Sequence, residues 1–220
     1  MSTVNSFDVF DTLLARRVQT PHDIFTIIET TFPFPNFKHY RCLAEYSSDG
    51  TFDRIYKRFR ELTGCSQDIC NRLKEFEVKT EIDNSYLIAT NYNRVCDGDI
   101  LVSDMYFTEE IIMRILRAHG FAKDVKLYVT QGGKRNGTIW PCLKEKYIIN
   151  LHLGDNLESD IKMASEAGIP AEHTNVHELN ASEQFFIKHG YTQFALFIRE
   201  FRHQNPYPVN TNNYRSESVV

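Results

Sequence analysis

The chain has 220 residues and a formal net charge of -4, from 25 Lys and Arg against 29 Asp and Glu. Its hydrophobic fraction of 42% and charged fraction of 25% are those of ordinary globular proteins, which excludes collagen-like and largely disordered architectures. The acidic balance removes the basic surface that sequence-independent nucleic-acid binding requires, so we expect no nucleic-acid partner. The length predicts one core domain with a smaller insert.

Cysteine usage and hydropathy indicate the compartment. The cysteines form an odd set without CxxC spacing, so we expect reduced thiols and neither a disulfide framework nor a zinc site. The N-terminal segment lacks the basic and apolar regions of a secretory signal, and no stretch of about 18 residues is uninterruptedly apolar. We therefore expect a cytoplasmic protein with no membrane partner.

Four short apolar runs predict the strands of a buried sheet. They cover residues 4–10, 100–102, 125–129 and 148–153. Helical patterns follow three of them, at residues 108–119, 138–146 and 157–167. Strands that alternate with helices predict an α/β fold, a parallel sheet with helices on both faces.

Polar residues stand where these predicted strands end. They are Asp8, Ser103, Thr130 and Asp155. In open parallel sheets, ligands bind beyond the carboxyl ends of the strands. Asp8 and Asp155 can therefore share a divalent cation, and Mg²⁺ prefers such oxygen ligands while it keeps waters and substrate phosphate in its other positions. We predict a magnesium site between these two carboxylates.

Residues 20–95 interrupt the alternation with a different pattern. Apolar residues recur there at helical spacing in segments 24–28, 52–62, 69–78 and 82–88. We predict a helical cap over residues 20–95 and an α/β core formed by residues 1–19 and 96–203. A last amphipathic helix is expected at residues 191–203. Residues 204–220, rich in Asn, Pro and Ser, are expected to form a flexible tail.

Four separated motifs resemble those of the haloacid dehalogenase-like superfamily. They are FDVFDTL at 7–13, LVSD at 101–104, GKRNG at 133–137 and LGDNLESD at 153–160. The resemblance implies a Rossmann-like core with an inserted α-helical cap, and a magnesium-dependent phosphohydrolase with an aspartate nucleophile. The opening SFDVFDTLL is also similar to bacterial members that are often linked to surface-polysaccharide synthesis.

The first and last motifs would supply the nucleophile and the metal ligands. By resemblance, Asp8 is the nucleophile and forms an aspartyl-phosphate. The backbone carbonyl of Phe10 and the carboxylate of Asp155 are expected to hold Mg²⁺ together with Asp8.

The other motif residues would stabilise the transferring group. The resemblance implies that Ser103 donates its hydroxyl to a phosphoryl oxygen and that Lys134 neutralises charge on that group. Asp160 is the expected supporting acid, which orients Lys134 or a metal-bound water. Asn156 is expected to be a hydrogen-bonding partner.

One position departs from the family's pattern. Most phosphatases of this superfamily carry a general acid and base two residues after the nucleophile; here that position is Phe10, and Asp11 follows it. Because strand residues alternate in direction, Asp11 cannot be assumed to point where the missing acid would. General acid–base catalysis contributes roughly 10²- to 10⁴-fold, so either the leaving group is good or Asp11, Asp104 or a cap residue takes the role.

Three functions stay open on the sequence alone. The leading one is a magnesium-dependent phosphohydrolase or phosphotransferase that acts on a small phosphorylated metabolite. The second is a non-catalytic binding module, for which the missing acid is the best support. The third is a dehalogenase-like hydrolase that uses Asp8 on carbon, against which the retained metal loop at 154–155 argues. Cap residues suited to a phosphorylated or sugar-like ligand are Arg41, Glu45, Tyr46, Tyr56, Lys57 and Arg60.

Overall fold

The computed structural model describes residues 1–206. Its strands are β1 (Ser2–Phe7), β2 (Leu14–Arg16), β3 (Ser85–Leu87), β4 (Ile100–Ser103), β5 (Lys126–Val129), β6 (Tyr147–Gly154) and β7 (Ala171–His173). Its α-helices are α1 (Asp23–Thr31), α2 (Phe37–Tyr46), α3 (Phe52–Thr63), α4 (Gln67–Asp83), α5 (Ala89–Tyr92), α6 (Glu109–Ala118), α7 (Ile139–Lys144), α8 (Met163–Glu166), α9 (Ala181–Lys188) and α10 (Thr192–Gln204). A π-helical turn, Leu157–Lys162, directly precedes α8.

Five strands form a parallel sheet in the order β5-β4-β1-β6-β7. Side chains alternate across a strand, so Ile100 and Val102 of β4 join one apolar cluster and Leu101 joins another. Helix α6 packs on the face that carries Leu101, and α7 and α8 pack on the face that carries Ile100 and Val102. The predicted α/β class with helices on both faces is confirmed.

The predicted strands are present, with changed ends. β1 ends at Phe7, before the predicted end at residue 10, so Asp8 is the first residue beyond the strand. β6 runs one residue past its predicted end and includes Gly154. β7 was not predicted, because Ala171–His173 is short, partly exposed and without an apolar run.

Within the inserted segment, part of the helix predicted at residues 82–88 is a strand. The helix predicted over residues 82–88 is wrong in its second half, because α4 ends at Asp83 and β3 pairs antiparallel with β2. Tyr86 of β3 lies opposite Ala15 of β2, and both are buried. Pairing with a distant strand therefore overrides the local apolar spacing.

The inserted helices share one hydrophobic cluster with the sheet. Ile28 of α1, Phe59 of α3 and Leu73 of α4 belong to the same cluster as Phe7 and Leu153 of the central strands. One apolar cluster thus connects the insert to the core that carries the candidate site. The division into a core and a cap at the predicted boundaries stays a prediction.

Helix α10 ends the described part of the chain. It spans Thr192–Gln204, close to the predicted 191–203, and packs on the β2–β3 ribbon. The tail predicted for 204–220 lies outside the described residues from 207 onward. Within residues 1–206, no helix combines the length and the apolar character needed to cross a bilayer.

Candidate active site

The carboxyl ends of β1, β4 and β6 open into one cavity of about 210 Å³. The motif residues to which the sequence analysis gave a role line this cavity: Asp8, Phe10, Asp11, Ser103, Lys134, Asp155, Asn156 and Asp160. Thr130, which also follows a predicted strand, does not line it. The convergence follows from the parallel topology, which brings equivalent strand ends to one edge of the sheet. The structure brings the predicted residues together, and their individual roles stay predictions.

Asp8 lies just past β1 and is almost fully buried. Its backbone N–H donates to the carbonyl of Leu153 at 2.9 Å, which fixes the residue at the end of the neighbouring strand. Its Oδ1 accepts a hydrogen bond from Lys134 Nζ. Burial raises the pKa of Asp8 well above its ordinary value, and the charge of Lys134 opposes that rise. No described residue donates to Asp8 Oδ2, so that oxygen is available to a substrate or a cation.

Lys134 joins Asp8 to a second buried carboxylate. Its Nζ donates to Asp160 Oδ1 at 2.6 Å as well as to Asp8. Burial by itself would lower the pKa of Lys134, but the two carboxylates more than offset it and raise the pKa above its ordinary value. Lys134 therefore keeps its positive charge in the cavity.

His152 of β6 holds Asp160 from the other side and was not predicted. Its Nε2 lies 3.2 Å from Asp160 Oδ1, and its Nδ1 lies 2.8 Å from the hydroxyl of Ser6. Burial lowers the pKa of His152, so the ring is neutral, with Nε2–H donating to the carboxylate. Burial would raise the pKa of Asp160, but the hydrogen bond from His152 and the charge of Lys134 lower it to about 2. The available sequence signal, one polar residue in an apolar run, indicates no role by itself.

Asp104 holds the loop that carries Lys134. Asp104 Oδ1 accepts from the backbone N–H of Lys134 at 3.0 Å, and Oδ2 accepts from that of Arg135 at 3.1 Å. Thr130 Oγ1 also donates to Asp104. A Cβ at Gly133 would lie 2.7 Å from the Thr130 hydroxyl, so the loop requires glycine there. Asp104, one candidate for the missing acid, is thus engaged as an acceptor that positions Lys134.

The turn at 154–160 presents Asp155 and fixes Asp160. A Cβ at Gly154 would lie 2.4 Å from the Asp160 side chain, so the close approach of the two requires glycine. The side-chain oxygen of Asn156 accepts from two backbone N–H groups of the following turn, at 3.0 and 3.1 Å. The backbone N–H of Asn156 donates to Asp160 Oδ2 at 3.1 Å. Asn156 therefore shapes the turn and helps to hold Asp160.

Three carboxylates lie close enough to hold one cation. Asp8, Asp155 and Asp160 each have an oxygen within 4.8 Å of the others. Both Asp160 oxygens already accept hydrogen bonds, whereas Asp155 accepts one long bond, 3.4 Å, from Thr12. Burial raises the pKa of Asp155, and the negative charge of Asp11 adds to the rise. This oxygen donor set fits Mg²⁺, and Asp8 and Asp155 are the residues that would hold it.

Phe10 and Asp11 also line the cavity, and we call this part of the lining the Phe10 wall. The guanidinium of Arg16 lies over the Phe10 ring at 4.6 Å and makes a two-pronged ion pair with Glu81. Asp11 has φ 60°, in the left-handed region that residues other than glycine rarely adopt. Because β1 has already ended, strand alternation does not decide its direction, and this turn sets Asp11 on the cavity wall. No described residue donates a hydrogen bond to its carboxylate.

A second cavity of about 320 Å³ adjoins the Phe10 wall. Glu45 lines it, and is one of the cap residues that the sequence analysis associated with a ligand. Arg41 and Tyr56, two others, are buried around the carboxylate of Glu77, to which both donate hydrogen bonds. They therefore stabilise the inserted helices and do not line this second cavity.

No family model and no curated protein matches the chain. Among solved structures, the L-2-haloacid dehalogenase PA0810 has 13% identity, covers 79% of this chain and 84% of that chain, and gives a TM-score of 0.50. The HAD-hydrolase YfnB from Bacillus subtilis bound to magnesium has 16% identity, covers 84% of this chain and 98% of that chain, and gives 0.49. The HAD phosphatase from Thermococcus onnurineus has 12% identity, covers 82% and 89%, and gives 0.43. Identities this low describe architecture and not activity. The sheet order, the inserted helices and the likeness to the dehalogenase together show that the chain has the haloacid dehalogenase-like fold.

Proposed function

We propose that the chain is a magnesium-dependent phosphohydrolase or phosphotransferase that acts on a small phosphorylated metabolite. The observation that carries the proposal is the buried Asp8, with one oxygen held by Lys134 and the carboxylate of Asp155 beside it. Burial disfavours the charged form of Asp8, so positive charge must stabilise the carboxylate before it can act as a nucleophile. Lys134 and a bound cation would supply that charge.

The chain's residues divide the transfer step among them. Asp8 Oδ2 attacks the phosphorus, the bond from phosphorus to the leaving-group oxygen breaks, and an aspartyl-phosphate forms. Ser103 Oγ accepts from the N–H of Met105 at 3.3 Å, so its O–H is free to donate to a phosphoryl oxygen. Lys134 offsets the charge on that group. A bound Mg²⁺ supplies electrostatic stabilisation of the phosphoryl oxygens. Attack by water on phosphorus then releases phosphate and restores Asp8, and another acceptor replaces water in a transferase.

The Phe10 wall decides which leaving groups can depart. A phenyl ring transfers no proton, and an alkoxide that leaves without one departs far less readily than a phenolate or a carboxylate. Asp11 is a carboxylate on the same wall, without a hydrogen bond from the described residues. Substrates are therefore acyl or aryl phosphates, unless Asp11 protonates the leaving oxygen.

A hydrolase that uses Asp8 on carbon is the second candidate. The feature that favours it is Phe10, because dehalogenases of the resembling superfamily carry an aromatic residue there and work without metal. The Asp155 carboxylate close to Asp8 supports the phosphohydrolase, because a reaction without metal has no use for a second negative charge beside the nucleophile.

Release of phosphate and of halide by the full chain distinguishes these functions. Acetyl phosphate, an aryl phosphate and an L-2-haloacid are each assayed in Mg²⁺ and in EDTA. We expect phosphate release only in Mg²⁺, lost in Asp8→Asn and kept in the control Asp68→Asn, whose carboxylate is exposed on α4. Halide release that survives EDTA and needs Asp8 would assign the site to carbon chemistry. Binding of phosphate esters without turnover would leave a binding module.

A further inference from the structure

A group of exposed aromatic side chains lies along the two C-terminal helices. Their exposed fractions range from 50% to 65%, and we call them the aromatic stripe: Phe185, Tyr191, Phe194, Phe197 and Phe201. The partly exposed Phe186 connects α9 to α10, since its ring lies 4.8 Å from that of Phe194. Single exposed apolar residues are ordinary on protein surfaces, but a contiguous group of this size marks an interaction site.

Helix α10 presents two faces of opposite character. On the inner face, Leu196 is buried, Arg199 donates to the carbonyl of Arg16, and the ring of His203 bonds to the hydroxyl of Tyr86. On the outer face, the three phenylalanines of α10 are spaced by three and four residues, which is the spacing of one helix face. The stripe is therefore a separate outward surface and not a frayed edge of the core.

The outer face of α10 carries no exposed charge. Its exposed side chains are Gln193, Phe194, Phe197, Phe201 and Gln204. Of the charged residues on this helix, Glu200 pairs with Arg17 at 2.5 Å, and Arg202 pairs with Glu183 at 2.9 Å. A face without exposed Lys or Arg lacks the charges that attract anionic lipid or nucleic acid. It also lacks the like charges that would repel an identical face.

We propose that the aromatic stripe is the interface of a homodimer, in which two α10 helices pair antiparallel about a two-fold axis near Phe197. From Gln193 to Gln204 the outer face is about 16 Å long at 1.5 Å per residue. Antiparallel pairing with this centre sets Gln193 of one copy beside Gln204 of the other. Gln204 Nε2 donates to Glu200 of its own chain at 3.1 Å, so its side-chain oxygen is the atom that accepts from the Gln193 amide of the partner copy. The axis then lies between Ile198 and Arg199, so the two copies of Phe197 are offset by about 5 Å along the helices at 1.5 Å per residue, within reach of each other's rings. A two-fold dimer is the commonest closed assembly and needs one self-complementary patch.

The area of the stripe suits such an interface. An aromatic side chain buries roughly 150–250 Å², so five that are half to two-thirds exposed offer on the order of 500 Å² of apolar surface. A standard interface covers about 800 Å² on each partner, with an apolar centre and a polar rim. The stripe supplies the centre, and the two glutamines supply the rim together with the exposed Lys188 at the end of α9 and His189 after it.

Sedimentation equilibrium of the full chain tests the dimer. We expect a dimer at about 10 µM and, in Phe197→Glu, a dissociation constant at least about 30-fold higher, because a central aromatic is lost and two carboxylates meet. The matched control is Tyr46→Glu, an exposed aromatic on α2 outside the stripe, which should leave the dimer unchanged. A chain that stays monomeric up to about 100 µM, or equal losses in both variants, overturns the proposal.

A second pair of variants tests the antiparallel arrangement. Gln193→Lys with Gln204→Glu sets opposite charges together across an antiparallel pair and should tighten the dimer about 2- to 30-fold. Gln193→Glu with Gln204→Glu sets like charges together and should weaken it. A weaker dimer from the first combination overturns the arrangement, since parallel helices would bring Lys to Lys and Glu to Glu.

Other occupants of the stripe would also be visible. A monomeric chain that co-sediments with phosphatidylcholine vesicles would assign the stripe to lipid. A monomeric chain in which a Phe197→Cys thiol resists alkylation, read by mass spectrometry of the α10 peptide, would assign it to residues 207–220 of the same chain. Either result overturns the dimer.

Discussion

The two walls of the active-site cavity differ in how many hydrogen bonds and ion pairs their charged side chains make. On one wall, which we call the Lys134 wall, the side chains of Asp8, Lys134 and Asp160 form a buried, hydrogen-bonded chain. On the Phe10 wall, the guanidinium of Arg16 lies over the Phe10 ring. The carboxylate of Asp11 accepts no hydrogen bond from the described residues. Buried charges persist only when they are paired, so the first wall tolerates little change. We infer that the first wall serves the chemistry common to all substrates and the second serves the leaving group.

The largest expected effect lies at the Phe10 wall. Phe10→Asp should raise kcat on a hexose phosphate by something within roughly 10²- to 10⁴-fold, because a carboxylic acid can protonate the departing alkoxide. Acetyl phosphate should gain little, since its leaving group needs no proton. Steady-state phosphate release on the two substrates measures the difference.

Asp11→Asn is the contrasting variant. If the wild type hydrolyses the hexose phosphate briskly and Asp11→Asn loses that activity while it keeps acetyl phosphate hydrolysis, Asp11 already supplies the proton. Phe10 would then not limit the choice of leaving group.

On the Lys134 wall, Lys134→Met should lower kcat on both substrates by about 10²- to 10³-fold, the range for the loss of one hydrogen-bond donor that stabilises the transition state. Methionine keeps most of the volume but leaves Asp8 and Asp160 without the cation between them. Lys79→Met, at an exposed lysine on α4, is the matched control. A loss confined to the hexose phosphate would place Lys134 with the leaving group and contradict the division between the walls.

Metal binding should depend on Asp155, whose carboxylate lies close to that of Asp8. Asp155→Ala should raise the dissociation constant for Mg²⁺ by at least roughly tenfold. Loss of a residue that only hydrogen-bonds to a metal ligand already costs about that much, and Asp155 is expected to be a ligand itself. Isothermal titration calorimetry of the full chain measures the affinity, and Asp68→Ala, which removes an exposed carboxylate on α4, is the control. Unchanged affinity in Asp155→Ala would place the cation elsewhere.

The smallest expected effect is on acid stability. The folded pKa of Asp160, about 2, lies below the roughly 3.9 of an unfolded aspartate. A lowered pKa contributes stability above about pH 4 that is lost as the pH falls towards 2. The contribution is on the order of 2 kcal/mol, and Asp160→Asn should remove this dependence. Urea unfolding between pH 5 and pH 3 measures the free energy of unfolding, which should fall less steeply with pH in Asp160→Asn than in the wild type. Equal slopes in the two proteins would contradict the prediction.

Local patterns were enough to predict the sheet and the edge where the site lies. Short apolar runs are typical of parallel strands covered on both faces, and the polar residues that end them must share one edge. Asp8, Ser103 and Asp155 could therefore be placed in one cavity from the sequence. The resemblance of the motifs added Lys134 and Asp160 to the predicted site. These two residues belong to different motifs, so neither motif by itself predicts that they are buried and paired.

Only the tertiary structure decided what surrounds these residues. His152 bonds to Ser6, 146 residues away, and Tyr86 is a strand residue because it pairs with Ala15. The left-handed turn, and not strand alternation, sets Asp11 on the cavity wall. In the last helix, the periodicity predicted an amphipathic segment, yet Phe197 and its neighbours face outward. A sequence window reports the preference of one element, whereas partners and burial depend on elements that meet only when the chain folds.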